Sequence, residues 1–332
     1  MMEAIGFGQI LGHPKPVATL LSARRKGALA HAYLFEGPEG VGKRRTAMAL
    51  FAALQCDEQR PDACGTCPSC QKVAAGNHPD IHVVVPEGKA QIIKIDMVRE
   101  ITRKVAYPAM MGRWKCVLFD GACRFNEAAG NALLKTLEEP SSNTLFVLSS
   151  PRPQLVLSTL VSRCQRIHFH ALERHTIAQW LMGNSGLAAA EADVVAGMAE
   201  GSIGRATGLV DEALLASRAQ WFARAAGLRG ASVAELLNYA EELGQSREQL
   251  EPALELLRMF YRDVLVLAAG GPPTLVTNRD FEELLVGAAK VVGHRGALGA
   301  LEMLEEVSDS LRVNANPKLL AEHLLISLAG IN

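Results

Sequence analysis

The chain has no excess of charge of either sign: 34 Lys and Arg stand against 35 Asp and Glu in 332 residues. That balance excludes a free-standing nucleic-acid binder with a strongly basic surface, while leaving room for local basic patches. Met1 to Gln9 hold neither a basic segment nor a sustained apolar one, so no signal peptide is expected. The longest apolar helical pattern of the C-terminal half is interrupted by Arg258, Arg262 and Asp263, which argues against a membrane span. There is no internal repeat and no low-complexity tract. Cysteine is scarce, yet four of the seven fall between positions 56 and 70. In a chain without export signals such clustering points to a cytosolic metal site rather than a disulfide framework. The length permits two or three domains.

What is present begins with Gly37-Pro-Glu-Gly-Val-Gly42-Lys43-Arg44-Arg45-Thr46. An apolar strand, His31 to Phe35, precedes it and a helical pattern to about Ala53 follows, the setting a phosphate-binding loop requires. Gly37, Gly40 and Gly42 let successive N–H groups and a helix N-terminus face one anion, and Lys43 adds a charge for the outer phosphates. The next residue should be Ser or Thr, to hold a magnesium ion, and it is Arg44. Thr46 cannot replace it, because two helical steps rotate its side chain by about 200°. Asp120 ends an apolar strand, where such ATPases place a magnesium-binding aspartate. The glutamate that would follow, to orient water, is Gly121. Hydrolysis is therefore disfavoured on two chemical grounds.

In order, a helix is expected over 10–29, strands over Ile81–Val85, Lys115–Asp120, Thr144–Ser149 and Gln165–His170, and helices over Asp96–Val105 and Asn126–Glu139. Alternation of this kind implies a parallel sheet covered on both faces. Beyond His170 the patterns are helical, with capping boxes expected at Ser232-x-x-Glu235 and Ser246-x-x-Gln249, a break at Gly270-Gly-Pro-Pro273, and a last helix opened by Asn316-Pro317. Cys56, Cys64, Cys67 and Cys70 have the spacing C-x7-C-x2-C-x2-C. Four thiolates suit a closed, structural zinc site; an iron–sulfur cluster is the rival, but the fourth cysteine a ferredoxin would place three residues on is Ala74. Cys116, Cys123 and Cys164 read as ordinary core or near-surface thiols. His168 and His170 read as strand-face residues, and the basic groups Arg24-Arg25-Lys26 and Lys43-Arg44-Arg45 as solvated helix faces.

His31-Ala-Tyr-Leu-Phe-Glu-Gly-Pro, the cysteine module, Asn131-Ala-Leu-Leu-Lys-Thr-Leu-Glu-Glu-Pro140 and Ser162-Arg-Cys164 together closely resemble the clamp-loader branch of the AAA+ ATPases. The likeness is dense from about residue 8 to 210 and thinner beyond, where Asn316-Pro-Lys-Leu-Leu320 is similar to the family's last collar helix. It implies an α/β P-loop (AAA+) domain over 1–170 with a parallel sheet and an inserted zinc module at 56–70, a small helical lid over 171–212 and an all-α collar over 213–332. In that family the Ser-Arg-Cys motif presents an arginine finger to a nucleotide on the neighbouring subunit, a role that carries onto Arg163. The family's lid sensor arginine would fall at Gly204, but the arginine stands at Arg205, and Ser149 and Ser150 occupy a sensor region without an assigned role. The resemblance further implies a cytoplasmic, non-hydrolysing subunit of a polymerase holoenzyme. Its partners would be ATPase motor subunits and the delta subunit in a ring, the sliding clamp indirectly, and primed DNA through the complex, with no membrane. Cofactors would be structural zinc, with any ATP in the degenerate loop of Gly37, Gly40, Gly42 and Lys43 in doubt. An ATP-hydrolysing subunit of the same loader is the alternative, and a zinc-dependent nucleic-acid-binding protein a third, disfavoured by the lack of interleaved basic and aromatic residues.

Overall fold

The computed structural model describes residues 5–88, 91–210, 212–312 and 315–330. The ends of the expected first and last domains (1–4, 331–332) and Asp211, at the edge of the expected lid, lie outside that set. The chain divides into two compact units: residues 1–180 with 200–205, and residues 181–199 with 206–332.

In the first unit the elements alternate as the apolar runs dictate. They are α1 (Pro14–Arg25), β1 (Ala32–Glu36), α2 (Lys43–Gln55), α3 (Pro68–Ala74), β2 (Ile81–Val84), α4 (Ile95–Ala106), β3 (Lys115–Asp120), α5 (Glu127–Glu138), β4 (Thr144–Ser150), α6 (Ser158–Val161) and β5 (Gln165–His168). The five strands form one parallel sheet in the order β2-β3-β4-β1-β5. Successive side chains of a strand face opposite sides, so each strand serves two cores. Tyr33, Phe35, Leu118 and Val147 pack with Leu20 of α1 and Leu50 and Phe51 of α2. Leu34, Val117, Phe119 and Phe146 pack with Val98 and Ile101 of α4 and Leu133 and Leu137 of α5. Burial on both faces is why β1, β3 and β4 read as unbroken apolar runs. Each large side chain so buried contributes about 1.5–3 kcal/mol relative to exposure.

α1, β2 and β5 are shorter than expected. α1 starts at Pro14, whose missing N–H suits the first helical position, and stops before Gly27 at φ +62°. β5 stops at His168, which pairs with Glu36, the last residue of β1, and β2 stops at Val84, two residues before Pro86. Arg24 is no solvated charge: it donates to the carbonyls of Ala53 (2.5 Å) and Arg60, tying α1 to the cysteine segment.

The rest of the chain holds α7 (Arg174–Ser185), α8 (Ala189–Met198), α9 (Ile203–Leu209), α10 (Glu212–Gly227), α11 (Val233–Leu243), α12 (Arg247–Ala268), α13 (Glu282–Arg312) and α14 (Pro317–Ala329). Within the second unit, the Phe222 ring centroid lies 5.4 Å from that of Phe260 and 5.1 Å from that of Phe281. Buried Asp263 pins the return from α12 by accepting bonds from the backbone of Thr277 and Asn278. Ser232 and Glu235 form their reciprocal cap. Ser246 does not form one: it precedes α12 without a side-chain cap. Asn316 caps α14 through the Lys318 N–H at 2.9 Å. One helical stretch among the described residues, 279–311, is long and apolar enough to cross a membrane by length and composition, and it is not the one that carries Arg258 and Asp263. Gly293 (φ 68°, ψ 171°) kinks it.

Candidate functional site

The order of strands puts the carboxyl ends of β1, β3 and β4 side by side at the point where the chain crosses from one edge of the sheet to the other. Parallel α/β sheets use such a crevice for ligands. The loop from Gly37 leaves β1 there, Asp120 closes β3, and Ser149 stands beside Asp120 in register on β4.

The loop has the shape its glycines allow. A Cβ on Gly37 would lie 2.1 Å from the carbonyl oxygen of Phe169, and one on Gly40 would lie 2.1 Å from Oγ of Ser202, so neither position admits a side chain. Gly40 accepts a bond from the Gly204 N–H at 2.9 Å. Lys43 opens α2 and is buried; its Nζ donates to the carbonyls of Gly37 (2.6 Å) and Pro38 (2.5 Å). Burial lowers its pKa below the ordinary lysine value, offset in part by the charges of Asp120 and Glu39. His13 Nε2 donates to the Val41 carbonyl (2.8 Å), and burial lowers its pKa.

Arg44 and Arg45 are not merely solvated. Arg44 Nη1 lies 3.4 Å from Asp120 Oδ2, while Ser149 Oγ donates to Asp120 Oδ1 at 2.5 Å. The carboxylate that would serve a metal is therefore shared between a guanidinium and a hydroxyl. Ser149 had no role readable from sequence; only the sheet register shows it beside Asp120. Arg45 reaches Gln9 Oε1 at 3.4 Å. Thr46 is buried and its hydroxyl turns back to the Gly42 carbonyl at 3.0 Å, away from Asp120. Gly121 takes φ +110°, the turn that carries the chain off β3.

Arg163 follows α6 just before the amino end of β5, whereas the loop leaves the carboxyl end of the parallel neighbour β1. Its Nε donates to Glu138 Oε1 at 2.9 Å, its Nη2 to the same oxygen, and its Nη1 to the carbonyl of Thr159 at 3.0 Å. His168 pairs with buried Glu36 (3.0 Å), as does Arg166 at 2.6 Å, so both serve a carboxylate rather than a metal. Arg205 pairs with Glu200 at 2.8 Å.

The four cysteines converge. Cys56 caps the end of α2, Cys67 caps the start of α3, and all four Sγ atoms lie within 4.8 Å of one another, a set that could hold a metal ion. The backbone N–H groups of Cys67 and Thr66 draw the Cys64 thiol down to about 6, whereas burial pushes Cys67 and Cys70 up. Asp57 braces the module through Ser69 Oγ at 2.7 Å. Cys116 is fully buried and Cys164 partly so, its thiol pushed up to about 12 by desolvation.

A sequence model described as DNA polymerase III, delta subunit, matches residues 12–173. The chain is 30% identical over 333 residues to DNA polymerase III subunit delta' of Bacillus subtilis, with 95% of each chain covered. It is 39% identical over 153 residues to the subunit delta' of Escherichia coli, covering 46% of each. A DNA polymerase III gamma subunit-related protein of Thermotoga maritima shares the fold at a TM-score of 0.50 and 20% identity, with 94% of this chain and 98% of that one covered. The chain belongs to the family of DNA polymerase III subunit delta'.

Proposed function

We propose that this chain acts in the DNA polymerase III clamp loader as a subunit that does not hydrolyse ATP itself and that supplies Arg163 to a nucleotide on its neighbour. The observation that carries the first half is the Arg44–Asp120 pair. A magnesium ion would need an oxygen from the residue after Lys43 and the Asp120 carboxylate; the first is replaced by a cation and the second is engaged by it. Like charges exclude one another from one carboxylate, so Arg44 opposes the metal as well as failing to bind it. Gly121 offers no base. The glycines and Lys43 keep the loop's shape, and that feature favours the alternative of an active ATPase subunit.

In this reading residues 171–212 serve as a lid and 213–332 as a collar that joins ATPase and delta subunits in a ring, working in the cytoplasm on clamp and primed DNA only through the complex. The cysteine set suits zinc. A tetrahedral ion with Zn–S bonds of about 2.3 Å sets sulfurs about 3.8 Å apart, and Cys64 and Cys70 stand 3.9 Å apart. Cys56, Cys64, Cys67 and Cys70 would hold the ion, which would staple a segment of little regular structure and favour the thiolates that burial opposes.

The test is ATP turnover by the purified chain. No hydrolysis above background is expected, and Arg44→Thr should restore binding at most, because no base is present. Multiple turnover by the wild-type chain, abolished by Lys43→Ala, would establish the active-ATPase alternative instead.

A further inference from the structure

Arg163 makes more contacts than an exposed arginine needs. A guanidinium has five N–H bonds. Here Nε and one N–H of Nη2 go to Glu138 Oε1, and Nη1 reaches the Thr159 carbonyl at 3.0 Å and Ser162 Oγ at 3.3 Å. One N–H of Nη2 stays over, and the Ser162 contact is the longest of the set. The group is thus clamped along its Nε–Nη2 edge and against its own helix end, while its terminal edge keeps donors that a phosphate oxygen can take without breaking the Glu138 contact.

Both sides of the clamp are fixed to the core. Leu137, beside Glu138, and Leu160, three residues before Arg163, are almost wholly buried in the layer between the sheet and α4–α5. Glu138 is moreover the last residue of α5. A carboxylate there faces the negative end of the helix dipole, a placement that local helix stability opposes. Its contact with Arg163 supplies the compensating charge.

We infer that Glu138 is a positioning residue for Arg163: it holds the guanidinium in one orientation so that the terminal edge is preset for a nucleotide phosphate on the neighbouring subunit. This rests on the reading of Arg163 as a finger acting in trans. A donor held in place before the reaction needs no reordering when charge develops.

The experiment uses a reconstituted loader with clamp and primed DNA, carrying the wild-type chain, Glu138→Ala, Glu138→Gln, Arg163→Ala, or the double alanine variant. Glu138→Ala should lower kcat for the adjacent site, by up to about 10²-fold where the fork is displaced by 1 Å, and leave KM unchanged. Glu138→Gln should recover most of the loss, because an amide oxygen accepts the same N–H groups. Glu138→Ala should add nothing in the Arg163→Ala background. An equal fall in both backgrounds, or no fall in kcat, overturns the inference. Hydrogen exchange at Arg163 Nε in the isolated chain, followed by nitrogen-15 NMR, separates this from the finger reading. Slow exchange in wild type and Glu138→Gln and fast exchange in Glu138→Ala establish the hold, and fast exchange in wild type refutes it. If the hold is seen but Arg163→Ala leaves the loader unchanged, the finger reading fails and the catalytic purpose assigned to Glu138 fails with it.

Discussion

Asp80 precedes the amino end of β2 and Asp120 closes the carboxyl end of β3, and the two carboxylates have opposite surroundings. Asp120 answers to two side chains, Arg44 and Ser149. Asp80 is buried and accepts three consecutive backbone N–H groups, from Met110 (2.6 Å), Met111 (2.8 Å) and Gly112 (2.6 Å). Burial alone would raise its pKa, but those three donors hold it below the usual carboxylate range. A carboxyl whose folded value is depressed adds stability above its unfolded value, near 3.9, and loses it as pH falls through the folded one. Asp80→Asn presents an amide hydrogen to a ring of donors and should cost about 2–3 kcal/mol near pH 7. The gap between variant and wild type should narrow in acid. Urea unfolding of both proteins across pH decides it; equal midpoints near pH 7 would show the three bonds to be dispensable.

At the scale of elements, the cysteine module gives the cleanest separation of metal from helix. Cys67 is the N-cap of α3, its sulfur accepting from the Cys70 N–H at 3.4 Å, and Pro68 stands at the first helical position. Serine is among the best N-cap residues, so Cys67→Ser keeps a cap while removing one of four thiolates. Protein purified without added metal should hold about one zinc per chain, and Cys67→Ser should lose it. Backbone hydrogen exchange should then rise across 56–75 and stay unchanged across 213–312. Iron with sulfide in elemental analysis would refute the zinc assignment. The central strands and α2 are legible in the sequence because burial on both faces leaves an unbroken apolar run. The phosphate-loop glycines, Lys43 and Asp120 are legible because a short motif carries them. What was not legible depends on distant partners. Ser202 over Gly40, Ser149 beside Asp120, Glu138 under Arg163 and Arg24 on Ala53 are each joined by the fold, and no local period announces them. At Ser246 the pattern fits a cap that the structure does not make.

At the scale of the molecule, Arg163 lies away from the chain's own phosphate loop, and that loop has Arg44 where a metal ligand would stand. An arginine finger acts by stabilising charge on a phosphoryl group and is worth roughly 10³–10⁵ in rate where it completes a site. On the proposed reading, in which the chain's own site does not hydrolyse ATP, such a group has its use across an interface. Removing it should leave the fold intact, because the residues that anchor α5 and α6 are apolar and unaffected and the Arg163 side chain is one-third exposed. A half-exposed pair of this kind contributes about 1 kcal/mol at most to stability. Arg163→Ala should therefore join the ring normally and slow DNA-dependent ATP turnover and clamp loading. The fall in total turnover should be partial, because subunits that do not border this chain keep their own fingers. Arg163→Lys should recover only part of the rate: an ammonium is a point charge without the planar fork that spans two phosphate oxygens, and it cannot accept the edge-on hold that Glu138 gives. Turnover and loading rates of wild type and both variants, compared at equal incorporation into the ring, decide the matter. Identical rates for wild type and Arg163→Ala would leave Arg163 as the surface partner of Glu138 and nothing more.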